Sequence, residues 1–439
     1  MSASASLSAI SIHKQLGLSQ GQAQEGVNIR NPSTAILGVS SIDRYNLVGG
    51  DGNELTASET NPVNTQTLSS PYDFSITKSE NFLNGFFTRL AVNEVQFRWT
   101  LPTLTSRNNK MYIVFSPSNR SVITNAVSTG STITFTMAST TGYSGAQVVA
   151  VGNLQSVSTS AGTLNLNGTY TISSTTGTTL VCTALAPTTQ PVAFTTLAVT
   201  GSVGIRSLLT IAEGWYDLYN TTTASPQYAG NLAYQVQEAI KTATSDSTFS
   251  LFYNLSLSAS TLTGRPYNAF LATASGTNTF WFQRYTDPTQ PNRVGLFEMM
   301  AWSTNQVGAT TQTGTPNASL LSTPFVDIVS TNLTYNQSLK DADTGTTRDI
   351  LCRLFLTPDA FTGNMGNLGS APILIHRAFP FPKQIKWNAD QPIGNLRFQV
   401  YDSQGYLLST NDGLTGTSQT AYYDADMGDW SMTLLISEV

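Results

Sequence analysis

The chain of 439 residues is long enough for two or more folded units with separate hydrophobic cores. Charged residues make up only 11% of it, against about 25% in typical soluble domains, and the formal net charge is −5. This balance excludes a strongly basic, nucleic-acid-binding surface and is unusual for a cytosolic enzyme. It is typical of extracellular β proteins and virion shells, whose Ser, Thr, Asn and Gln side chains keep the surface soluble while copies pack closely.

The first 60 residues are polar, and only 35–39 form an apolar run. They contain three basic and five acidic residues, so they cannot neutralise a phosphate backbone, and no direct contact with nucleic acid is predicted. The composition predicts an N-terminal arm, residues 1–60, that becomes ordered only against a partner. Because the sequence has no apolar run of 18 residues and no secretory signal, we expect neither a membrane-spanning helix nor export.

From residue 72 onwards, apolar and polar residues alternate as they do in β-strands. The longest such stretch is Phe86–Trp99, where the apolar positions change parity near Asn93, and this change predicts a β-bulge. Helical spacing occurs at Tyr228–Ala243 and at Val294–Trp302. Further strands are predicted at 73–77, 111–115, 205–211, 249–253, 269–272, 279–285, 325–329, 350–356, 373–375, 396–401 and 430–437. The pattern therefore predicts an all-β protein, a sandwich or jelly roll with short helices in its connections.

A charge-free insert interrupts this framework. Residues 121–205 contain no Asp, Glu, Lys, Arg or His, and they consist mainly of Ser, Thr, Gly, Ala and Val. Alternating hydroxyl and β-branched side chains cannot fill a hydrocarbon core, so a membrane segment is not expected. The stretch predicts a small, inserted β domain, residues 121–204, that is exposed on the surface.

Side chains suited to catalysis are scarce. The two histidines, His13 and His376, lie in the arm and at the end of an apolar strand, so their spacing supports neither a nucleophile–base pair nor a zinc site. No catalytic, cofactor-binding or metal-binding residue and no cofactor are predicted, and the protein is not expected to be an enzyme.

The remaining candidates for a reactive or metal-binding site are two cysteines and a cluster of aspartates. Cys182 and Cys352 each lie in an apolar run, which predicts two buried free thiols. Asp424, Asp426 and Asp429 lack the Gly and Glu spacing of a calcium-binding loop, so they are interpreted as a polar turn before the last strand.

Several segments, taken together in their order, carry a family resemblance. These are Asn84–Arg89 running into Val92–Trp99, Ile211–Tyr216 before a helix, Pro324–Ser330, Cys352–Leu356, and Lys386-Trp387 followed by Tyr401–Gly405. In this combination the chain resembles the penton-type and minor capsid proteins of virophages and polinton-like viruses, which are eukaryotic double-stranded DNA viruses. The resemblance covers roughly residues 70–120 and 205–439 and includes neither the arm nor the insert.

The resemblance implies a single jelly roll, residues 61–120 and 205–439, that forms pentamers at icosahedral five-fold vertices. Its partners would be identical copies and the neighbouring capsomers of the major capsid protein, in a virion assembled in the host cytoplasm or nucleus. Insertions in such proteins project outwards, which makes residues 121–204 the candidate contact for a host receptor.

Two alternatives stay open at this stage. Without the arm and the insert, enough chain remains for two small sandwiches, as in a double-jelly-roll major capsid protein that forms trimers, although the two halves share no repeated motif. A receptor-binding fibre or carbohydrate-binding module would place the function in the insert, which contains few aromatic residues for stacking on sugars. In the preferred interpretation, the residues predicted to lie in the core are Phe86, Phe87, Trp99 and Trp387.

Overall fold

The computed structural model describes residues 34–42, 71–77, 89–99, 103–117, 122–154, 157–159, 162–214, 216, 218, 230–254, 269–288, 294–304, 306–315, 318, 320, 323–334, 339–340, 347–348, 350–356, 373–380, 382, 384–386, 395–408 and 429–437. Within these ranges lie two helices, α1 (Leu232–Thr244) and α2 (Leu296–Met299). No helix in the described ranges is both long and apolar enough to cross a membrane.

Strands make up most of the described structure. The first twelve are β1 (Thr34–Ser40), β2 (Asp73–Thr77), β3 (Arg89–Trp99), β4 (Lys110–Ser116), β5 (Val122–Ser128), β6 (Ile133–Met137), β7 (Val148–Gly152), β8 (Val157–Thr159), β9 (Gly162–Leu164), β10 (Gly168–Thr175), β11 (Thr179–Ala184) and β12 (Phe194–Thr210). The next twelve are β13 (Ser250–Asn254), β14 (Ala269–Thr273), β15 (Thr279–Arg284), β16 (Thr311–Thr313), β17 (Phe325–Val329), β18 (Leu339–Lys340), β19 (Thr347–Arg348), β20 (Ile350–Phe355), β21 (Ile373–Ala378), β22 (Gln384–Lys386), β23 (Asn395–Asp402) and β24 (Trp430–Ser437).

Eight of these strands pair in a nested order. β1 is antiparallel to β24, β2 to β23, β3 to β21, and β17 to β20. Along the set, the first strand therefore pairs with the eighth, the second with the seventh, the third with the sixth and the fourth with the fifth. This pairing produces two sheets, β1-β24-β3-β21 and β2-β23-β17-β20, which is the arrangement of a jelly roll. The predicted all-β jelly-roll fold is confirmed.

The two sheets of the jelly roll pack around one hydrophobic core. In β23, Leu396, Phe398 and Val400 are fully buried, whereas the residues between them are exposed or half-buried. Phe97 and Trp430 enter the same core from the opposite sheet. The alternation follows from the two-residue period of a strand that has one face in the core and one outside.

The predicted bulge in β3 is confirmed. Glu94 pairs with Thr433 and Val92 with Leu434, which leaves Asn93 without a partner in β24. One extra residue in a strand shifts every later side chain to the other face, and this is why the apolar positions of the sequence change parity there.

A second hydrophobic core lies in the chain between β3 and β17. It is enclosed by the strands β15, β4 and the end of β12, by the small sheet β13-β14-β16, and by both helices. The described apolar residues between 209 and 320 that line this core lie in a stretch that the sequence placed in the jelly roll, and they form a cluster separate from the sandwich core. The reason is that α1 and the strands beside it bury their apolar faces against one another. The domain boundaries drawn from the sequence stay a prediction.

Helix α1 is where the apolar spacing predicted it, with a start at residue 232. Its N-cap is Asn231, whose side-chain oxygen accepts a hydrogen bond of 3.0 Å from the backbone N–H of Tyr234. Its buried face includes Leu232, Val236 and Ile240, which are spaced by one helical turn. The shorter helix predicted at 294–302 is observed as α2.

Asp246 joins the end of α1 to the turn between β14 and β15. Its carboxylate accepts hydrogen bonds from the backbone N–H groups of Thr248, at 3.2 Å, and Ser275, at 2.9 Å, and from Nδ2 of Asn278, at 3.1 Å. Burial alone would raise the pKa of this carboxyl group, but the hydrogen bonds outweigh burial and lower it.

We expect Asp246→Asn to lower the free energy of unfolding by about 1–3 kcal/mol at neutral pH, because an amide turns N–H groups towards donors. The carboxylate stabilises the fold above its ordinary pKa of 3.8, and this contribution is lost as the pH falls through the lowered pKa of the folded state. Urea unfolding at neutral and at acidic pH should therefore show a difference between variant and wild type that shrinks in acid. Thr242→Ala, which removes no ionisable group from the exposed flank of α1, is the control, and an equal difference at both pH values would contradict the assignment.

The charge-free insert forms a closed barrel of six strands. Their order is β12-β5-β6-β11-β10-β7, and β7 pairs back with β12. Its interior is filled by buried apolar side chains, among them Ile133, Phe135, Tyr170, Ile172 and Leu180. Because closure pairs the strands around the whole circumference, the barrel needs no charged residues to protect an open edge.

Strand β12 belongs to both the barrel and the second core. It pairs with β5 and β7 in the barrel, and its residues 205–210 pair with β4. Gly204 lies where the two units meet. A Cβ at this position would come within 2.8 Å of Cγ1 of Val114 and within 3.1 Å of the backbone of Phe115. The close approach of the two strands therefore requires glycine here. Trp281, Val114 and Ala150 form a small buried cluster at the junction.

Part of the predicted arm belongs to the jelly roll. Residues 34–40 form β1, which pairs along its whole length with β24. Val39 is buried in the sandwich core, and Ala35 and Leu37 pack against it. A run of alternate apolar residues gains more by completing a sheet than by remaining in water. Most of the remaining arm lies outside the described residues.

The core residues predicted from the sequence are not tested. Phe86, Phe87 and Trp387 lie outside the described residues, and only the backbone of Trp99 is described, in β3. Other aromatic residues fill the observed sandwich core: Tyr72, Phe74, Phe97, Phe398 and Trp430.

Candidate functional surfaces

The one described histidine, His376, contacts a carboxylate on the outer face of the jelly roll. Nε2 of His376, in β21, is 3.3 Å from Oε2 of Glu94, in β3, and both side chains are largely exposed. Thr433 donates a hydrogen bond of 2.9 Å to the other oxygen of Glu94. This hydrogen bond, together with His376, lowers the pKa of Glu94. The arrangement is a cross-strand polar contact on an open surface, and His13 lies outside the described residues.

The aspartates before the last strand are described only at Asp429. Its Oδ1 accepts a hydrogen bond of 2.7 Å from Oγ of Ser41, and that Oγ accepts one of 3.0 Å from the backbone N–H of Trp430. These contacts join the end of β1 to the start of β24. Asp424 and Asp426 lie outside the described ranges, and no group of three metal-binding side chains occurs within them. The absence of a catalytic, cofactor or metal site stays a prediction.

Both cysteines are free and buried, as predicted. Burial raises the pKa of Cys182, inside the barrel, to about 12. Burial, and secondarily the charge of Asp327, also raises the pKa of Cys352 in the sandwich. Thiolate is the reactive form, so neither sulfur is prepared for nucleophilic or redox chemistry.

We therefore expect the native protein not to react with Ellman's reagent at neutral pH and the unfolded protein to release two equivalents. Absorbance followed before and after addition of guanidinium measures both states. Cys182→Ser and Cys352→Ser assign each equivalent to one core. A thiol that reacts in the native state would show that its core opens.

The exterior of the barrel is a neutral surface that is rich in hydroxyl groups and includes the exposed apolar side chains of Leu185 and Val192. Thr136 of β6 is paired with Thr179 of β11, and Thr171 of β10 with Thr183 of β11. The hydroxyls of Ser173 and Thr183 are 3.2 Å apart and share a hydrogen bond. A surface of this kind attracts no ion over a distance and contacts partners through short hydrogen bonds.

Comparison with known proteins identifies no family for this chain. No family model matches the sequence, and no curated protein matches it. Among solved structures, the penton protein of mavirus matches 93% of this chain and 100% of its own chain, with 10% sequence identity and a TM-score of 0.36. A similarity at this level does not establish a common fold, and the jelly-roll assignment above depends on strand pairing alone.

Exposed apolar side chains occur on the outer faces of both sheets of the jelly roll. In the first sheet, Ile36 of β1 is 74% exposed next to its partner Leu435 of β24, and Leu374 of β21 is 61% exposed. In the second sheet, Phe355 of β20 is 53% exposed, and its ring centroid lies 5.9 Å from that of Phe325 in β17. Apolar and aromatic residues on outward faces are the kind of surface that a protein partner covers.

The second sheet also carries a charged pair beside these aromatic rings. Arg353 donates hydrogen bonds of 2.7 Å and 2.9 Å to the two carboxylate oxygens of Asp327. The guanidinium of Arg353 lies 3.9 Å from the ring centroid of Phe325. Because Asp327 is almost fully buried, the ion pair holds the side chain of Arg353 flat against the sheet. The ring of Phe355 beside it stays exposed.

Proposed function

We propose that this protein is a structural virion protein, a penton-type capsid protein that assembles into pentamers at icosahedral five-fold vertices. The observation that supports this most directly is the single nested set of eight strands with exposed apolar side chains on its outward faces. A ring of identical copies covers such faces through a heterologous contact that closes on itself. The number five comes from the resemblance of the sequence to penton-type proteins.

The electrostatics of the chain suit this role. With 11% charged residues, few charges must lose their water when the faces of neighbouring copies meet. The proposed mechanism is self-assembly, in which no residue performs chemistry, and the proposed location is the virion. Neighbouring capsomers of the major capsid protein are the partners that a vertex position requires.

We further propose that the barrel, residues 121–204, is the exterior unit of the capsid protein and the contact for a host receptor. It lies in the chain segment between β3 and β17, and unlike the sandwich it carries no charged residue. The other proposed parts of the chain are an N-terminal arm before β1 and a jelly roll. In this jelly roll, the connection between its third strand, β3, and its fourth strand, β17, contains the second core.

Neither alternative role gains comparable support. The described strands contain one nested set of eight, and the strands around the second core are paired in a different order, so a double jelly roll is not proposed. For a carbohydrate-binding module, the barrel would need exposed aromatic rings. Three of its four aromatic residues, Phe135, Tyr143 and Tyr170, are instead buried in its interior, and the fourth, Phe194, is half-buried against the same core.

Native mass spectrometry of the purified, assembled protein tests the proposal. A five-fold multiple of 47.1 kDa is expected, whereas a three-fold multiple or a stable monomer would contradict a pentameric vertex protein. Leu374→Asp should shift the assembly midpoint at least about tenfold towards monomer, because it places a carboxylate in the covered face. Leu185→Asp, at a leucine of the barrel that is 39% exposed, is the control and should leave assembly unchanged.

A further inference from the structure

Along one edge of β12, the described residues place no strand beside residues 206–210. β7 lies along this edge at residues 202–205, and beyond Ile205 no described strand continues it. On the other edge β4 pairs with 205–210, and the N–H of Ile211 donates to the carbonyl of Asn109 at 3.0 Å. Since backbone groups alternate along an antiparallel strand, those of Leu209 face β4 and those of Leu208 face the open edge.

A groove runs along this open edge. It has a volume of about 480 Å³ and lies between the last residues of β12 and the flank of α1 that carries Gln235, Glu238 and Ala239. Leu208 is 46% exposed on its rim. Residues 207–212 contain neither a charge nor a proline, so the edge lacks the features that prevent strands from adding to a sheet.

We propose that this groove receives the N-terminal segment of a neighbouring copy, which adds to β12 as a further strand. An extended backbone is the ligand that satisfies alternating N–H and C=O groups at a sheet edge, while a helix beside the edge supplies a wall for its side chains. The inference rests on the proposed function, because the oligomer supplies the neighbouring copy.

The composition of the N-terminal segment suits this groove. Residues 1–33 precede β1 and lie outside the described residues, and an extended chain of that length spans roughly 110 Å. Before Glu25, Lys14 is the one residue with a full charge at neutral pH, so the segment brings little charge into a groove where Glu238 is already paired with Lys241 at 2.8 Å. Ile10 and Ile12, separated by a single serine, would place two β-branched side chains on one face of an added strand.

Cross-linking between full-length chains tests the proposal. One chain carries Ile12→Cys and the other Thr210→Cys, and the two are mixed, assembled and treated with a short bis-maleimide. The native cysteines are buried with raised pKa values, so only the introduced thiols should react. A covalent dimer between the two chains is expected, and Thr163→Cys, at an exposed position of the β8–β9 hairpin, should not form one with Ile12→Cys.

A second variant isolates the strand edge. Leu208→Pro removes the N–H that faces the groove and leaves the hydrogen bonds to β4 in place, so the protein should fold with an unchanged melting temperature. It should slow cross-linking about tenfold, as expected when the added strand loses one backbone hydrogen bond to β12. Leu208→Thr keeps the N–H and is the matched control.

The outcomes separate this inference from the proposed function. Equal cross-linking in Leu208→Pro and Leu208→Thr, or an intact oligomer without any cross-link, would overturn the added strand and leave the pentamer unaffected. A cross-link that forms only when both substitutions are in one chain would overturn the exchange between neighbours. A chain that is monomeric by native mass spectrometry would overturn both proposals together.

Discussion

Replacing Phe398 with alanine is expected to lower the free energy of unfolding of the jelly roll by about 3–5 kcal/mol. Its side chain is fully buried in β23. The ring centroid lies 5.6 Å from that of Phe74 in the same sheet and 5.8 Å from that of Trp430 in the opposite sheet. The cavity left by the truncation would therefore lie between the two sheets, where rigid strands cannot collapse into it.

Calorimetry measures this effect, because it can record the unfolding transitions of the sandwich and of the barrel separately. Phe135→Ala, which removes an equally buried ring from the barrel, is the matched control. It should lower the transition of the barrel and leave that of the sandwich in place. If both substitutions lowered one common transition equally, the two cores would form a single cooperative unit.

Removal of the whole barrel is expected to leave a folded and assembled protein. Phe115 in β4 and Ile205 in β12 are a hydrogen-bonded cross-strand pair by the alternation that starts at Ile211 and Asn109, so they are placed to flank a two-residue turn. Replacing residues 116–204 with Asn-Gly should close β4 and β12 into a hairpin. We expect a cost of about 1–3 kcal/mol, because Trp281 loses its cover from the barrel.

Native mass spectrometry and circular dichroism of this variant measure assembly and folding. Adding Trp281→Thr to it should restore solubility if the exposed indole causes aggregation, since threonine suits an exposed strand position. An unfolded chain in both versions would show that the barrel is a required part of the second core, contrary to its role as a displayed unit.

The fold class could be predicted from the sequence because strand periodicity is local. The bulge at Asn93 and the helix α1 were both visible, since each depends on the spacing of apolar residues within one element. The neutral insert could be predicted because the absence of charge over 85 consecutive residues is a property of one continuous segment. The buried state of Cys182 and Cys352 followed from their apolar neighbours.

The sequence alone did not reveal β1 as part of the sandwich, because its partner β24 lies at the opposite end of the chain. The second core was missed for a similar reason. Its strands have the same two-residue period as those of the jelly roll, and periodicity does not state which strands face one another. The candidate surfaces, such as Leu374 and the groove beside Leu208, depend on which faces remain uncovered after packing.

By itself, then, the sequence determined an all-β chain of low charge with a neutral insert and without a recognisable catalytic constellation. These properties are set by residue type and by spacing over a few positions. Only the tertiary structure decided the nested pairing of eight strands, the closure of the insert into a barrel through β12, and the open edge of that strand. Each of these depends on contacts between residues that are distant in sequence, whose pairing is selected by the burial of apolar surface in the whole molecule.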